Sequence, residues 1–170
     1  MRSPPVKPLL SNLKREDIPI SREDLLPLMQ DVLTRGASFQ FRARGASMSP
    51  FIKDGDVVTV APLNKQKPAM GKVVAFLQPV SGHLSIHRVV GRQGLAFLIQ
   101  GDNAAGAADG LVFEQDILGC VTRVERNGRR IILGLGPERY LVAWLSRNGL
   151  LIRVLNRYWW FKSFYRKKLD

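Results

Sequence analysis

Ser47, His87, Asp102 and Asp109 are the residues of this chain whose types could act together in acyl transfer. A serine hydroxyl is a weak nucleophile at neutral pH and needs a positioned base. Histidine is the natural base, because an imidazole with an ordinary pKa is largely neutral at pH 7. The chain has two histidines. His83 follows Ser81-Gly82 in a turn-like stretch, where a solvent-facing role is expected. His87 sits in Leu84-Ser85-Ile86-His87-Arg88-Val89-Val90, which reads as a strand. A carboxylate behind the imidazole would fix its tautomer and stabilise the imidazolium. Asp102 and Asp109 are the two candidates for that place, although Gly101-Asp102-Asn103 is also strong turn chemistry. The Ser47 N–H would serve as an oxyanion donor. Gly45, Ala46 and Met48 are the neighbouring positions expected to line the substrate and oxyanion site, the first two lacking bulk. Asp56, after Gly55, reads as a loop-fixing residue.

The order of these segments is more specific than any one of them. Arg44-Gly45-Ala46-Ser47-Met48-Ser49-Pro50, followed by Asp54-Gly55-Asp56 and the run Val57-Val58-Thr59-Val60, resembles the nucleophile box of the signal peptidase clan, which also contains the self-cleaving repressor proteases. His87-Arg88-Val89 resembles the histidine branch, as in endoplasmic-reticulum and archaeal signal peptidases, where bacterial members carry lysine. Gln100-Gly101-Asp102-Asn103, with Asp109-Gly110 downstream, is similar to that branch's Gly-Asp-Asn box and second aspartate. Met70-Gly71-Lys72-Val73-Val74-Ala75-Phe76 and Ile117-Leu118-Gly119-Cys120-Val121 resemble two of its strands, with Lys72 in place of the usual acid. The resemblance spans roughly Phe39 to Val124. It implies a serine endopeptidase with Ser47 as nucleophile, His87 as base and, of the two acids, Asp109 as orienting acid. It implies no cofactor, and a leader or signal-like segment as substrate. It also implies a coiled, mostly antiparallel β-fold with the catalytic groove along one edge, where extended substrates can bind by strand addition. The alternatives are a self-cleaving repressor-type protease, and an inactive module that binds peptide or membrane.

The elements that must position these residues read as mainly β. Phe39-Gln40-Phe41-Arg42-Ala43-Arg44 alternates apolar and polar, as a half-buried strand does. Further strands are expected over Val57–Val60, Val73–Leu77, Leu84–Val90, Ala96–Gln100, Ile117–Glu125 and Arg130–Leu133. Asn127-Gly128 predicts a tight hairpin between the last two. Short strands at this spacing predict an antiparallel barrel or sandwich. Ahead of them, Ser21-Arg22-Glu23-Asp24 resembles a helix start. A short helix carrying Leu25, Leu28, Met29, Val32 and Leu33 is expected to run to Gly36, with Pro27 near its beginning.

Three segments are therefore expected: an arm over 1–19, a catalytic domain over 20–136 and a basic helical tail over 137–170. The arm is rich in proline and basic side chains and lacks the apolar stretch of a secretory signal. In the tail, Tyr140, Leu141, Trp144, Leu145, Leu151, Ile152, Leu155, Tyr158 and Trp159 predict one apolar stripe, with Gly149 as a break. Arg147, Arg153 and Arg157 oppose a membrane-spanning reading, because charge at a bilayer centre is costly. Lys162, Arg166, Lys167 and Lys168 among aromatic residues suit an anionic membrane surface, which is the expected contact of 140–168. The expected place is cytoplasmic, peripheral at the inner membrane surface. The formal net charge of +12 also fits nucleic acid, but no nucleic-acid module is visible and none is expected as partner. One cysteine, Cys120, excludes an internal disulfide and reads as a buried, inert thiol. Two histidines and one cysteine argue against a structural zinc site, and no metal is expected.

Overall fold

The computed structural model describes residues 22–104 and 110–157. The expected arm over 1–19, the Ser21 cap, Asp109, and the tail residues from Tyr158 onward lie outside the described residues.

The chain opens with helix α1 (Arg22–Thr34). Pro27 lies inside it, near enough to the start that the missing N–H removes a single backbone bond. Gly36 ends the helix at φ 74°, a conformation that costs glycine nothing. There the Ala37 N–H donates to Val32 O and the Gly36 N–H to Leu33 O, closing a Schellman turn.

Eight antiparallel strands follow in one sheet: β1 (Phe39–Arg42), β2 (Val57–Pro62), β3 (Val73–Leu77), β4 (Leu84–Gln93), β5 (Ala96–Gln100), β6 (Gly110–Phe113), β7 (Ile117–Arg126) and β8 (Arg129–Ile131). Their order is β1-β2-β7-β3-β4-β5-β6, with β8 paired to β7. Asn127 (φ 51°) and Gly128 (φ 74°) make the expected hairpin, with Arg126 opposite Arg129. β6 was not foreseen, because Leu111 and Phe113 face outward and only Val112 is buried, which hides the alternation. β8 ends two residues before the expected boundary. The chain turns back there through Leu135 N–H and Gly136 N–H, both donating to Ile132 O.

The period-two pattern of the strands separates two apolar faces. Val73 and Ala75 of β3 join α1's Met29 and Leu33, β1's Phe39 and β2's Val58 and Val60 in one cluster. Val74 and Phe76, from the other face of β3, join Val89, Phe97, Ile99 and Val112.

Helix α2 (Arg139–Arg147) packs on β4, and residues 151–157 are helical again. Gly149 (φ 65°) makes the expected break, with Leu150 N–H donating to Leu145 O. The expected single stripe is divided between two faces. Val142, Ala143 and Ser146 of α2 are buried, whereas Tyr140, Leu141 and Trp144 are half exposed. The smaller side chains take the inner face because α2 lies close to the sheet. A Cβ on Gly71 would fall 2.8 Å from Arg139 Cγ, and one on Gly91 would fall 3.2 Å from Arg147 Nη1. Among the described residues no helix is long and apolar enough to cross a membrane.

Candidate active site

Ser47 stands in the connection between β1 and β2, which is tied at its base by Ala43 N–H to Asp56 O (2.8 Å) and Gly55 N–H to Ala43 O (2.9 Å). Two aspartates shape it. Asp54 Oδ1 accepts the Gly45 N–H at 2.8 Å. Asp56 Oδ2 accepts the Lys53 N–H, and the same carboxylate meets Arg126 of β7 through two bonds of 2.8 Å. Burial alone would raise the Asp56 carboxyl, but the hydrogen bonds from Arg126 and Lys53 outweigh it and hold it below the ordinary value.

Within the connection, Ser49 N–H donates to Ala46 O, and Phe51 and Ile52 N–H donate to Met48 O, forming a compact turn. Its apolar side chains go to two places. Met48 and Ile52 enter the cluster beneath α1, and Phe51 packs with Val142 and Leu151. Ser47 is left exposed at the head of the turn. Gly45 takes φ 92°, and a Cβ there would meet nothing within 4 Å, so the space beside the serine is open. Two of the expected lining positions are thereby qualified. The Gly45 amide is already engaged by Asp54, and the Met48 side chain lies in the core, only 4% exposed. Ala46 is exposed.

His87 is held by β4, opposite Val74 of β3, with its ring 5.9 Å from that of Phe76. It is buried, Nδ1 included. Its other edge is placed by Gly101, just past β5. A Cβ on Gly101 would lie 2.9 Å from Ser47 O, 3.3 Å from His87 Nε2 and 3.4 Å from His87 Cδ2. The serine main chain and the imidazole Nε2 thus converge on one point that only glycine leaves empty. Asn103 N–H donates to Ser47 O at 2.7 Å and fastens the Gly-Asp-Asn loop to the serine turn.

Asp102 turns away into a fully buried ion pair with Arg88. Arg88 Nε donates to Asp102 Oδ1 at 2.7 Å and Nη2 to Oδ2 at 2.6 Å. Arg88 Nη1 donates to Gly71 O and Gly134 O, and the guanidinium lies 5.4 Å from the Phe51 ring centre. Burial leaves the Asp102 carboxyl above its ordinary value, against the opposing pull of the Arg88 hydrogen bonds and charge. The parallel two-bond geometry is that of a carboxylate facing a guanidinium. Asp102 is thus committed to Arg88, and Asp109 lies outside the described residues. Arg88 is the residue that sequence reasoning missed. The available signal was an arginine inside an apolar strand, which requires a buried partner.

A family model described as Peptidase S24-like matches residues 12–122. This chain belongs to that family. The match takes in the serine turn, β4 and the Gly-Asp-Asn loop, and ends before α2. The family holds both serine peptidases and self-cleaving repressors. No curated protein matches the chain. Among the described residues no group of three or more His, Cys, Asp or Glu side chains could hold a metal ion. His83 lies in the exposed turn before β4, and Lys72 is engaged by Gln66 Oε1 and Lys67 O.

Proposed function

We propose that this chain is a serine endopeptidase of the histidine-base type, acting on an extended leader or signal-like segment. Ser47 Oγ attacks the scissile carbonyl carbon, and His87 takes the hydroxyl proton through Nε2. His87 returns that proton to the leaving amine as the C–N bond breaks, leaving an acyl ester on Ser47. A water molecule, deprotonated by the same nitrogen, then hydrolyses the ester and frees the serine. The Ser47 N–H donates to the oxyanion. Asp109 orients the imidazole. The observation that carries the reading is that the Ser47 main-chain carbonyl and His87 Nε2 both lie against Gly101, 2.9 and 3.3 Å from where a Cβ would stand, so that the serine turn and the histidine strand meet there.

The test is cleavage of a peptide library by the purified chain, read by mass spectrometry. Ser47→Ala and His87→Ala should each lower turnover by about 10³-fold or more, and His83→Ala should leave it near wild type. Asp109→Asn should lower turnover without lowering the melting temperature. A histidine base predicts activity that rises between about pH 6 and 7 and then levels off, whereas a lysine base would need more alkaline solution. Wild-type cleavage by Ser47→Ala would remove the serine from the mechanism.

A further inference from the structure

The outward face of α2 is built for contact. Tyr140, Leu141, Trp144, Arg147 and Asn148 are all exposed, and their spacing of one, four, seven and eight residues is one side of a helix. Half or more of the surface of Tyr140 (51%), Leu141 (58%) and Trp144 (51%) meets solvent. In the turn leading into the helix, Ile132 and Leu133 are each 64% exposed. Large apolar side chains grouped in this way are unusual on a surface that faces only water. The inner face of the same helix is already engaged, through Val142, Ala143 and Ser146, so the outer residues are not waiting to enter the core.

Charge decides among occupants. Residues 129–157 hold six arginines and one acid, Glu138. That carboxylate is turned to the Gly134 and Gly136 N–H groups. The segment that carries the apolar face is therefore strongly cationic, with Arg139 and Arg147 on α2 itself and Arg153 and Arg157 in the helical stretch after it. Arg139 lays its guanidinium 4.9 Å from the Tyr140 ring centre, keeping charge beside apolar surface. A nucleic acid would use the arginines but leave Leu141, Ile132 and Leu133 exposed. An anionic lipid surface uses both parts, with phosphates meeting the arginines and the tryptophan, tyrosine and aliphatic side chains entering the headgroup boundary.

We infer that α2 and the turn before it are a docking face for an anionic membrane surface, independent of the peptidase reading. The full chain should sediment with phosphatidylcholine vesicles that contain phosphatidylglycerol and not with phosphatidylcholine alone. Salt should weaken this binding without abolishing it, since apolar burial is not screened. The double variant Leu141→Ser/Trp144→Ser should lower partitioning by about tenfold or more. It should keep the wild-type melting temperature and the wild-type cleavage of a short soluble peptide. Three results would overturn the inference. One is failure of the wild-type chain to bind anionic vesicles at low salt. Another is undiminished binding by the double variant, which would place the contact elsewhere. The third is a concentration-dependent dimer that the double variant dissolves, which would make a second copy the occupant.

Discussion

Replacing Asp102 with asparagine keeps the size of a buried side chain and removes its charge. In the native chain the Arg88 and Asp102 side chains are both 0% exposed, and two hydrogen bonds of 2.7 and 2.6 Å join them. Asparagine can accept only one of those bonds and presents an amide N–H to the other guanidinium N–H. The guanidinium cannot release its proton, so a positive charge stays buried without the carboxylate that faced it, against one amide oxygen, Gly71 O, Gly134 O and the Phe51 face. Removing one partner of such a pair costs about 3–5 kcal/mol, a large share of the roughly 5–15 kcal/mol that holds a domain folded. At about 2–4 °C per kcal/mol for a chain of this size, the melting temperature should fall by roughly 10 °C. An acid that only oriented His87 would behave differently, with turnover falling by orders of magnitude and melting little changed. Calorimetry and peptide cleavage on the same Asp102→Asn sample separate the two. A variant that melts within about 2 °C of wild type yet loses turnover would refute the assignment of Asp102 to Arg88.

Gly101→Ala should lower turnover by about 10²-fold with a smaller effect on melting, because its Cβ would lie 2.9 Å from Ser47 O and 3.3 Å from His87 Nε2; wild-type rates in that variant would dissociate Gly101 from the site. The Asp56 carboxyl is held below its ordinary value, so its contribution to stability is present at neutral pH and is lost as pH falls through the folded value. Arg126→Met should therefore cost about 2 kcal/mol at pH 7 and flatten the acid side of a urea-midpoint profile; an unchanged acid limb would contradict the pairing. Burial pushes the Cys120 thiol up to about 11, and its Sγ lies against Gln66 O. A thiol-reactive dye should thus label native protein slowly and unfolded protein at once, and rapid native labelling would show that β7 opens easily.

The parts legible in sequence were those fixed by local chemistry. Asn127-Gly128 and Gly36 announce positive φ, and the alternation of β1 follows from burial on one face, while β3 and β5 announce themselves as short apolar runs buried on both faces. Ser47, His87 and the Gly-Asp-Asn loop could be picked out because their types suit one reaction, and the fold brings these three segments together. What sequence could not show was register. Arg88 stands opposite Gln100 on β5, which places Asp102 two residues beyond its partner strand position. Nothing within either segment reveals that neighbourhood. The faces of α2 were misjudged for a different reason. Large apolar residues mark a buried face only when the helix has room beneath it. Here the close approach to Gly71 and Gly91 selects Val142, Ala143 and Ser146 for the inside and leaves the bulkier side chains out.

The junction around Arg88 links the candidate site to the C-terminal helix. Arg88 follows His87 on β4, and its carboxylate partner follows Gly101. The same guanidinium reaches Gly134 O in the turn before α2 and lies over Phe51 from the serine turn. Phe51 in turn packs on Val142 and Leu151, and Gln100 Nε2 donates to Ser146 O at 3.3 Å. Interactions that share one buried group respond together when it moves. The family match ends at residue 122, ahead of α2, yet part of what buttresses the serine turn and the histidine strand lies after that point. In this chain the contacts that hold the site therefore extend beyond the matched region, into the turn before α2 and the helix itself.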